Sequence, residues 1–360
     1  MSIWQYAEWL DPIDASHRLS LGEGRTPLIR SQSLGNRIGL PELYFKLESV
    51  SPTGSYKDRF AAAAISHMRH QGRNHCVATS SGNTGAALAA YCAAAGMRCT
   101  IAIVEAATAD KLQQMRIYGA QLLRVKQFGT DPLVTERVFR TMEAAGQVPG
   151  AALQISAYRF SPLGMAGVET IAHELADSDV DAVFIPAGGG GLGLAVARGF
   201  QRCVESGRLA RSPAVHVVQP AGNDTIATPL ARGDSRARDV QCTTSISGLQ
   251  VANVIDGDML LAASRASGGT GHVIADEDAW RLQAELARSE GIFCEPAAAV
   301  SVAGAVAARK AGVISADHRV VCIITGSGFK DSKAAMRILG DDPVPLIDEA
   351  TLAAALGVAP

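Results

Sequence analysis

One lysine in this chain stands where an amine can act as a nucleophile. Lys57 follows the turn-forming run "SPTGSY" and opens the alanine-rich stretch "FAAAAISHM", with Asp58 and Arg59 directly behind it. An amine partly withdrawn from water is available to condense with an aldehyde. Three glycine-rich corners offer what such an aldehyde ligand would need. In "ATSSGNTGAA" an apolar run ends at Thr79, and Ser80, Ser81, Gly82, Asn83 and Thr84 lead into a helix. Free N–H groups at a helix start make an anion site, suited here to a carboxylate. In "FIPAGGGGLGLA" four glycines, Gly188, Gly189, Gly190 and Gly191, precede Leu192. Bare glycines let backbone amides wrap a phosphate closely. In "VVCIITGSGFKD" a buried run ends at Thr325, whose hydroxyl can bond a ligand atom at the strand end.

Taken singly, each feature has an ordinary explanation: a solvated lysine at a helix start, a Ser/Thr/Asn cap, a tight turn. Taken together they ask for one ligand with an aldehyde, a phosphate and an aromatic nitrogen, and pyridoxal 5'-phosphate has all three. A rival comes from another enzyme class. Gly188, Gly190 and Gly193 satisfy GxGxxG, the signature of a dinucleotide-dependent oxidoreductase. That site needs an acid at the end of the next strand to hold a ribose. The next apolar run, "AVHVVQP", offers Gln219 near its end instead, so a phosphate site without a ribose site fits better.

The elements that must position these residues are legible as alternation. "NHCVATS", "CTIAIVE", "AQLLRVK", "DAVFIP", "AVHVVQP" and "RVVCIIT" read as strands apolar on both faces. Helical runs follow the first four, among them "TGAALAAYCAAAG" and "LGLAVARGFQRCVESG". Such strands belong to open, mostly parallel sheets with helical crossovers, an α/β fold in which ligands gather at the carboxyl ends of strands. Gly72, Gly96, Gly119 and Gly146 stand where left-handed helix caps belong. Two β/α blocks, roughly 60–155 and 180–330, predict two lobes with a cleft between them, as the length of 360 residues also suggests. A net charge of −2 without a long basic block argues against nucleic acid as a partner. The seven cysteines form no CxxC pair, which fits a reduced, cytoplasmic setting. The eight histidines form no HxH or HExxH cluster, so no metal site is expected. The N-terminal run is acidic rather than basic and then apolar, and no apolar stretch is long enough to span a bilayer.

"GEGRTPL", "SPTGSYKDR", "SSGNTGA", "GGGGLG", "GIFCEPAAA" and "TGSGFKD" occur in this order and resemble the tryptophan-synthase-β (fold type II) class of pyridoxal-phosphate enzymes, nearest to its threonine-synthase branch. The resemblance runs from about residue 22 to residue 331. It implies a smaller lobe, 60–155, inserted into a larger one made of 1–59 and 156–360, a homodimer, and an amino-acid substrate. It implies that Lys57 carries the cofactor as a Schiff base and shuttles protons, that Asn83 bonds the phenolic oxygen, and that Gly188, Gly189, Gly190, Gly191 and Leu192 cradle the phosphate. Thr325 would meet the pyridine nitrogen; Ser80, Ser81, Gly82 and Thr84 would hold the substrate carboxylate. Glu295 would lie near the ring, although it also reads as an acid preceding a helix-starting proline. A neutral hydroxyl at the pyridine nitrogen makes a weaker electron sink than a carboxylate, which suits elimination and replacement at the β or γ carbon.

Two stretches depart from the threonine-synthase pattern. The branch carries Asn-Ser-x-Asn-Pro-x-Arg where this chain reads "QISAYRF", keeping the arginine as Arg159 but not the asparagines. The run "GGGG" is more like that of the hydroxyamino-acid dehydratases. A carbon–oxygen lyase converting O-phosphohomoserine to threonine, with Arg159 on the substrate phosphate, is therefore expected. Serine or threonine deamination, β-replacement on phosphoserine as in cysteate synthase, and a non-catalytic ligand-binding homologue stand as alternatives.

Overall fold

The computed structural model describes residues 2–251, 254–340 and 343–358. Among them ten strands occur: β1 (Leu28–Arg30), β2 (Leu43–Leu47), β3 (His75–Thr79), β4 (Arg98–Val104), β5 (Gln121–Val125), β6 (Ala151–Gln154), β7 (Ala182–Pro186), β8 (Ala214–Pro220), β9 (Gly271–Ile274) and β10 (Val320–Ile324). They form two sheets, ordered β1-β2-β10-β7-β8-β9 and β5-β4-β3-β6. All pairings are parallel except β1 with β2. The strands β7 and β10 are buried at every residue, as strands covered by helices on both faces must be.

The six strands expected from sequence are present, and four others were not legible. β1 is only three residues long. β2, "LYFKL", carries a lysine in mid-strand; Lys46 is buried because its ammonium reaches Glu174 at 2.6 Å. β6, "AALQ", has little strand propensity, and β9, "GHVI", is a four-residue edge strand opened by glycine. Gly72, Gly96 and Gly119 are left-handed as expected, with φ of 68°, 66° and 80°. Gly146 is not a cap. It is the last residue of the helix Pro132–Gly146, and a Cβ there would meet Leu153 at 2.7 Å; the left-handed turn falls to Gly150.

The helix Lys57–His70 bridges the two halves of the fold. Its alanine-rich face is buried, and it lies along the helix Pro162–Leu175. Gly167 makes that approach possible: a Cβ there would come within 2.4 Å of the carbonyl oxygen of Arg59. The glycine-rich corners follow the carboxyl ends of β3, β7 and β10; parallel pairing puts those of β7 and β10 at one edge of the larger sheet, and the corner after β3, from the other sheet, lines the same cavity.

Candidate active site

The lysine owes its position to its neighbours. Gly54, with φ of +86°, turns the chain, and the Asp58 carboxylate closes that turn by accepting from the backbone N–H and the hydroxyl of Thr53, both at 3.0 Å. Arg59 is fully buried and forms ion pairs with Glu48 at 2.8 Å and Glu174 at 2.6 Å. The acid and the arginine that follow Lys57 thus fix the first turn of its helix. The loop is also tied to the end of β10: Tyr56 N–H donates to the carbonyl of Thr325 at 3.0 Å, and Ser55 pairs with Gly326.

These ties leave Lys57 facing a cavity of about 1070 Å³. Its lining includes Lys57, Ser80, Ser81, Gly82, Asn83, Thr84, Gly188, Gly189, Gly190, Gly191, Leu192 and Thr325. The Lys57 amine donates to the Ser156 hydroxyl at 2.7 Å, and that hydroxyl lies 3.1 Å from the Thr84 hydroxyl. It also stands over the Tyr56 ring at 4.4 Å. Burial lowers the Lys57 ammonium to about 8, against the upward pull of Glu295 and Asp256. The free amine, the form that attacks an aldehyde, is therefore far more populated near neutral pH than in an ordinary lysine.

The candidate phosphate cradle is built from backbone. Gly190, with φ of +96°, precedes the helix Gly191–Glu205, whose first amides have no carbonyl partner within the helix. Close packing demands the missing side chains: a Cβ on Gly191 would sit 3.1 Å from the carbonyl oxygen of Ser156, and one on Gly190 would sit 3.2 Å from the backbone of Asp256. Asp256 holds the loop from behind, donating its N–H to Gly189 and accepting from Tyr158 N–H at 2.9 Å. Across the cavity, Asn83 Nδ2 donates to Glu295 Oε2 and the Thr325 hydroxyl donates to Glu295 Oε1, both at 3.0 Å. Burial raises the Glu295 carboxyl above the ordinary range. Glu295 lines the cavity and also precedes Pro296 at the start of a helix.

Arg159 is not brought to this cavity. Tyr158 turns inward, donating to Glu169 at 2.7 Å, and the next side chain therefore turns out. Arg159 is exposed, stacks over Phe160 and lines a separate cavity of about 590 Å³. Ser156 and Asp256 are positions that sequence reasoning did not single out. Ser156 lies in the altered stretch with no role read for it, and Asp256 lies in a loop with no motif.

An aldehyde-reactive amine, a glycine cradle at a helix start and a strand-end hydroxyl define a site for pyridoxal phosphate, and the residues present fit that group. The amine is desolvated, the cradle contains no side chain that competes with a phosphate, and a neutral hydroxyl rather than a carboxylate ends β10. Residues 19–326 match the family model for pyridoxal-phosphate dependent enzymes. The chain is 33% identical over 355 residues to a threonine synthase of Methanocaldococcus jannaschii, covering 96% of this chain and 84% of that one. It is 32% identical over 349 residues to a threonine synthase of Methanosarcina acetivorans, covering 95% and 84%. Among solved structures, processed threonine deaminase isoform 2 of Solanum lycopersicum superposes with a TM-score of 0.73 at 20% identity, over 93% of this chain and 92% of that one. The chain belongs to the pyridoxal-phosphate dependent enzymes, with the fold of type II, and its cofactor is pyridoxal 5'-phosphate. Membership of this family sets aside the dinucleotide reading of GxGxxG.

Proposed function

We propose that the protein is a carbon–oxygen lyase that converts O-phosphohomoserine to threonine. The observation that carries this reading is the similarity to threonine synthases along nearly the whole chain. When bound, the cofactor supplies an electron sink for charge developing at the carbons of the amino acid. Lys57, whose desolvated amine lines the cavity, would carry the cofactor and move protons at its Nζ. Ser156 orients that amine and links it to Thr84 on the loop proposed to grip the substrate carboxylate. Asn83 and Thr325 would meet the ring's oxygen and nitrogen, and Glu295, which accepts from both, would hold the two side chains in register. Removal of the leaving group and addition of water would then take place in this cleft.

A second reading is deamination of serine or threonine. What favours it is the absence of an arginine among the described residues lining the cleft, since an arginine fork is a common partner for a phosphate leaving group. One experiment separates the two. Purified holoenzyme is offered O-phosphohomoserine, O-phosphoserine, threonine and serine, and the products are identified. Threonine and inorganic phosphate from O-phosphohomoserine support the proposal. Ammonia and a 2-oxo acid from unphosphorylated serine or threonine alone replace it with the second reading. No turnover of any of the four points to a ligand-binding homologue.

A further inference from the structure

A cluster on the opposite end of the lysine-bearing helix has no part in this chemistry. His70 is the last residue of the helix Lys57–His70, and the N-terminal arm passes over it with Asp14 and His17. Nδ1 of His17 and Nδ1 of His70 each lie 3.8 Å from the same carboxylate oxygen, Asp14 Oδ2. All three atoms lie within 4.8 Å of one another. A separation of 3.8 Å is too long for a hydrogen bond. It is close to the spacing of neighbouring ligands around one ion, about 3.4 Å for tetrahedral bonds of 2.0–2.1 Å.

Two further observations point the same way. Nδ1 of His17 is shut off from water and has no hydrogen-bond partner. The ring is half-buried, so this nitrogen is an unsatisfied donor or acceptor aimed at the cluster. The site also caps the carbonyl end of a 14-residue helix, where partial negative charge favours a cation. The neighbouring guanidinium of Arg69 is engaged elsewhere, with the carbonyls of His17 at 3.4 Å and Ser16 at 3.2 Å.

We infer that Asp14, His17 and His70 bind one divalent transition-metal ion, of which Zn²⁺ is the type, through one carboxylate oxygen and two imidazoles, with water completing the shell. Imidazole and carboxylate donors suit the borderline metals rather than the alkaline earths. The side chains are only partly covered, Asp14 most exposed of the three at 75%, so the site is loaded from solvent without opening the fold. Its consequence is mechanical. The arm already hangs on this helix through Leu19 N–H, which donates to the Ser66 hydroxyl at 2.8 Å, and through the Arg69 guanidinium on the carbonyls of Ser16 and His17; the metal adds a third tie at the helix end. The histidine spacing in sequence gave no sign of this, because the donors come from residues 14, 17 and 70.

The test is a titration of chelator-treated holoenzyme with Zn²⁺ by calorimetry, and with Co²⁺ by absorbance. The wild type should take one equivalent with micromolar affinity. Loss of a supporting outer-shell partner already costs roughly 10–100-fold in metal affinity, so losing a ligand in His70→Ala or His17→Ala should cost at least as much. Asp14→Asn, on the most exposed side chain, provides a variant with little risk to folding and should weaken binding likewise. Cys76, Cys92 and Cys99 form a second, buried cluster that offers a competing explanation. A thiolate-to-cobalt charge-transfer band would assign the ion to the cysteines and overturn the inference. So would an unchanged affinity in the variants, or no saturable binding below millimolar metal.

Discussion

Lys57 carries the sharpest prediction at the scale of single residues. Lys57→Ala should abolish turnover and the visible band of the loaded enzyme while leaving the melting temperature nearly unchanged; a variant with both colour and activity would displace the assignment. Because burial lowers the amine to about 8, the neutral and reactive fraction rises through that pH. The rate at which apoenzyme takes up pyridoxal phosphate covalently should therefore climb between pH 7 and 9 (a window set around that value) and level off well before the ordinary lysine range. A rate still climbing steeply at pH 10 would mean that the amine is not desolvated. Ser156→Ala removes a hydrogen bond to a charged group, a loss of roughly 1.5–3 kcal/mol, and should cost ten- to a hundredfold in kcat/KM. Arg159 provides the contrast. From its place outside the cleft, Arg159→Ala should leave kcat/KM for phosphorylated and unphosphorylated amino acids alike within about threefold, the range of surface changes. A selective loss with the phosphorylated substrate would restore it as a substrate contact. Lys57 and the glycine corners were legible in the sequence because their chemistry needs particular residue types at short range. Ser156 was not, because its role comes from a 2.7 Å approach to a residue 99 positions away.

Among the elements, the loop between β7 and the helix Gly191–Glu205 is the one proposed to bind phosphate through its backbone. Gly190→Asp places a side chain at φ of +96°, which costs on the order of 1–3 kcal/mol, and adds a negative charge where the amides await a phosphate. Cofactor occupancy after dialysis should fall sharply while the far-ultraviolet circular dichroism is retained. Full occupancy would move the phosphate away from this loop. The long apolar strands and alanine-rich helices could be read from sequence because burial on both faces leaves a continuous apolar run. β2 escaped notice for the opposite reason. Its buried Lys46 is tolerated only because Glu174, from a distant helix, reaches it, and no local pattern records that pairing.

At the scale of the whole molecule, three buried histidines make stability depend on pH. Burial holds His216 down to about 3, helped by His272 and His318; it holds His272 to about 4, and His173 to about 4 with Arg208 and Arg202 adding to the effect. All three are neutral in the fold and would take up protons near 6.5 once unfolded. Their contribution is therefore present above about pH 6.5 and is lost as pH falls toward 4. Asp58, lifted to about 7 by burial, acts in the opposite sense, so the test is differential. His272→Gln should lose less stability than the wild type between pH 7 and 5, and parallel curves would show that His272 is not held neutral. The topology has a further consequence, for the order of events during synthesis. β10, last of the strands in sequence, lies between β2 and β7, and it ends in the residues that tie down the lysine loop. A nascent chain that has not yet released residue 325 from the ribosome already holds Lys57 and the glycine cradle. It also has two strands with unpaired edges and a lysine loop without its anchor. Coenzyme capture must then wait for the end of translation, and prematurely terminated chains should emerge colourless and prone to aggregate.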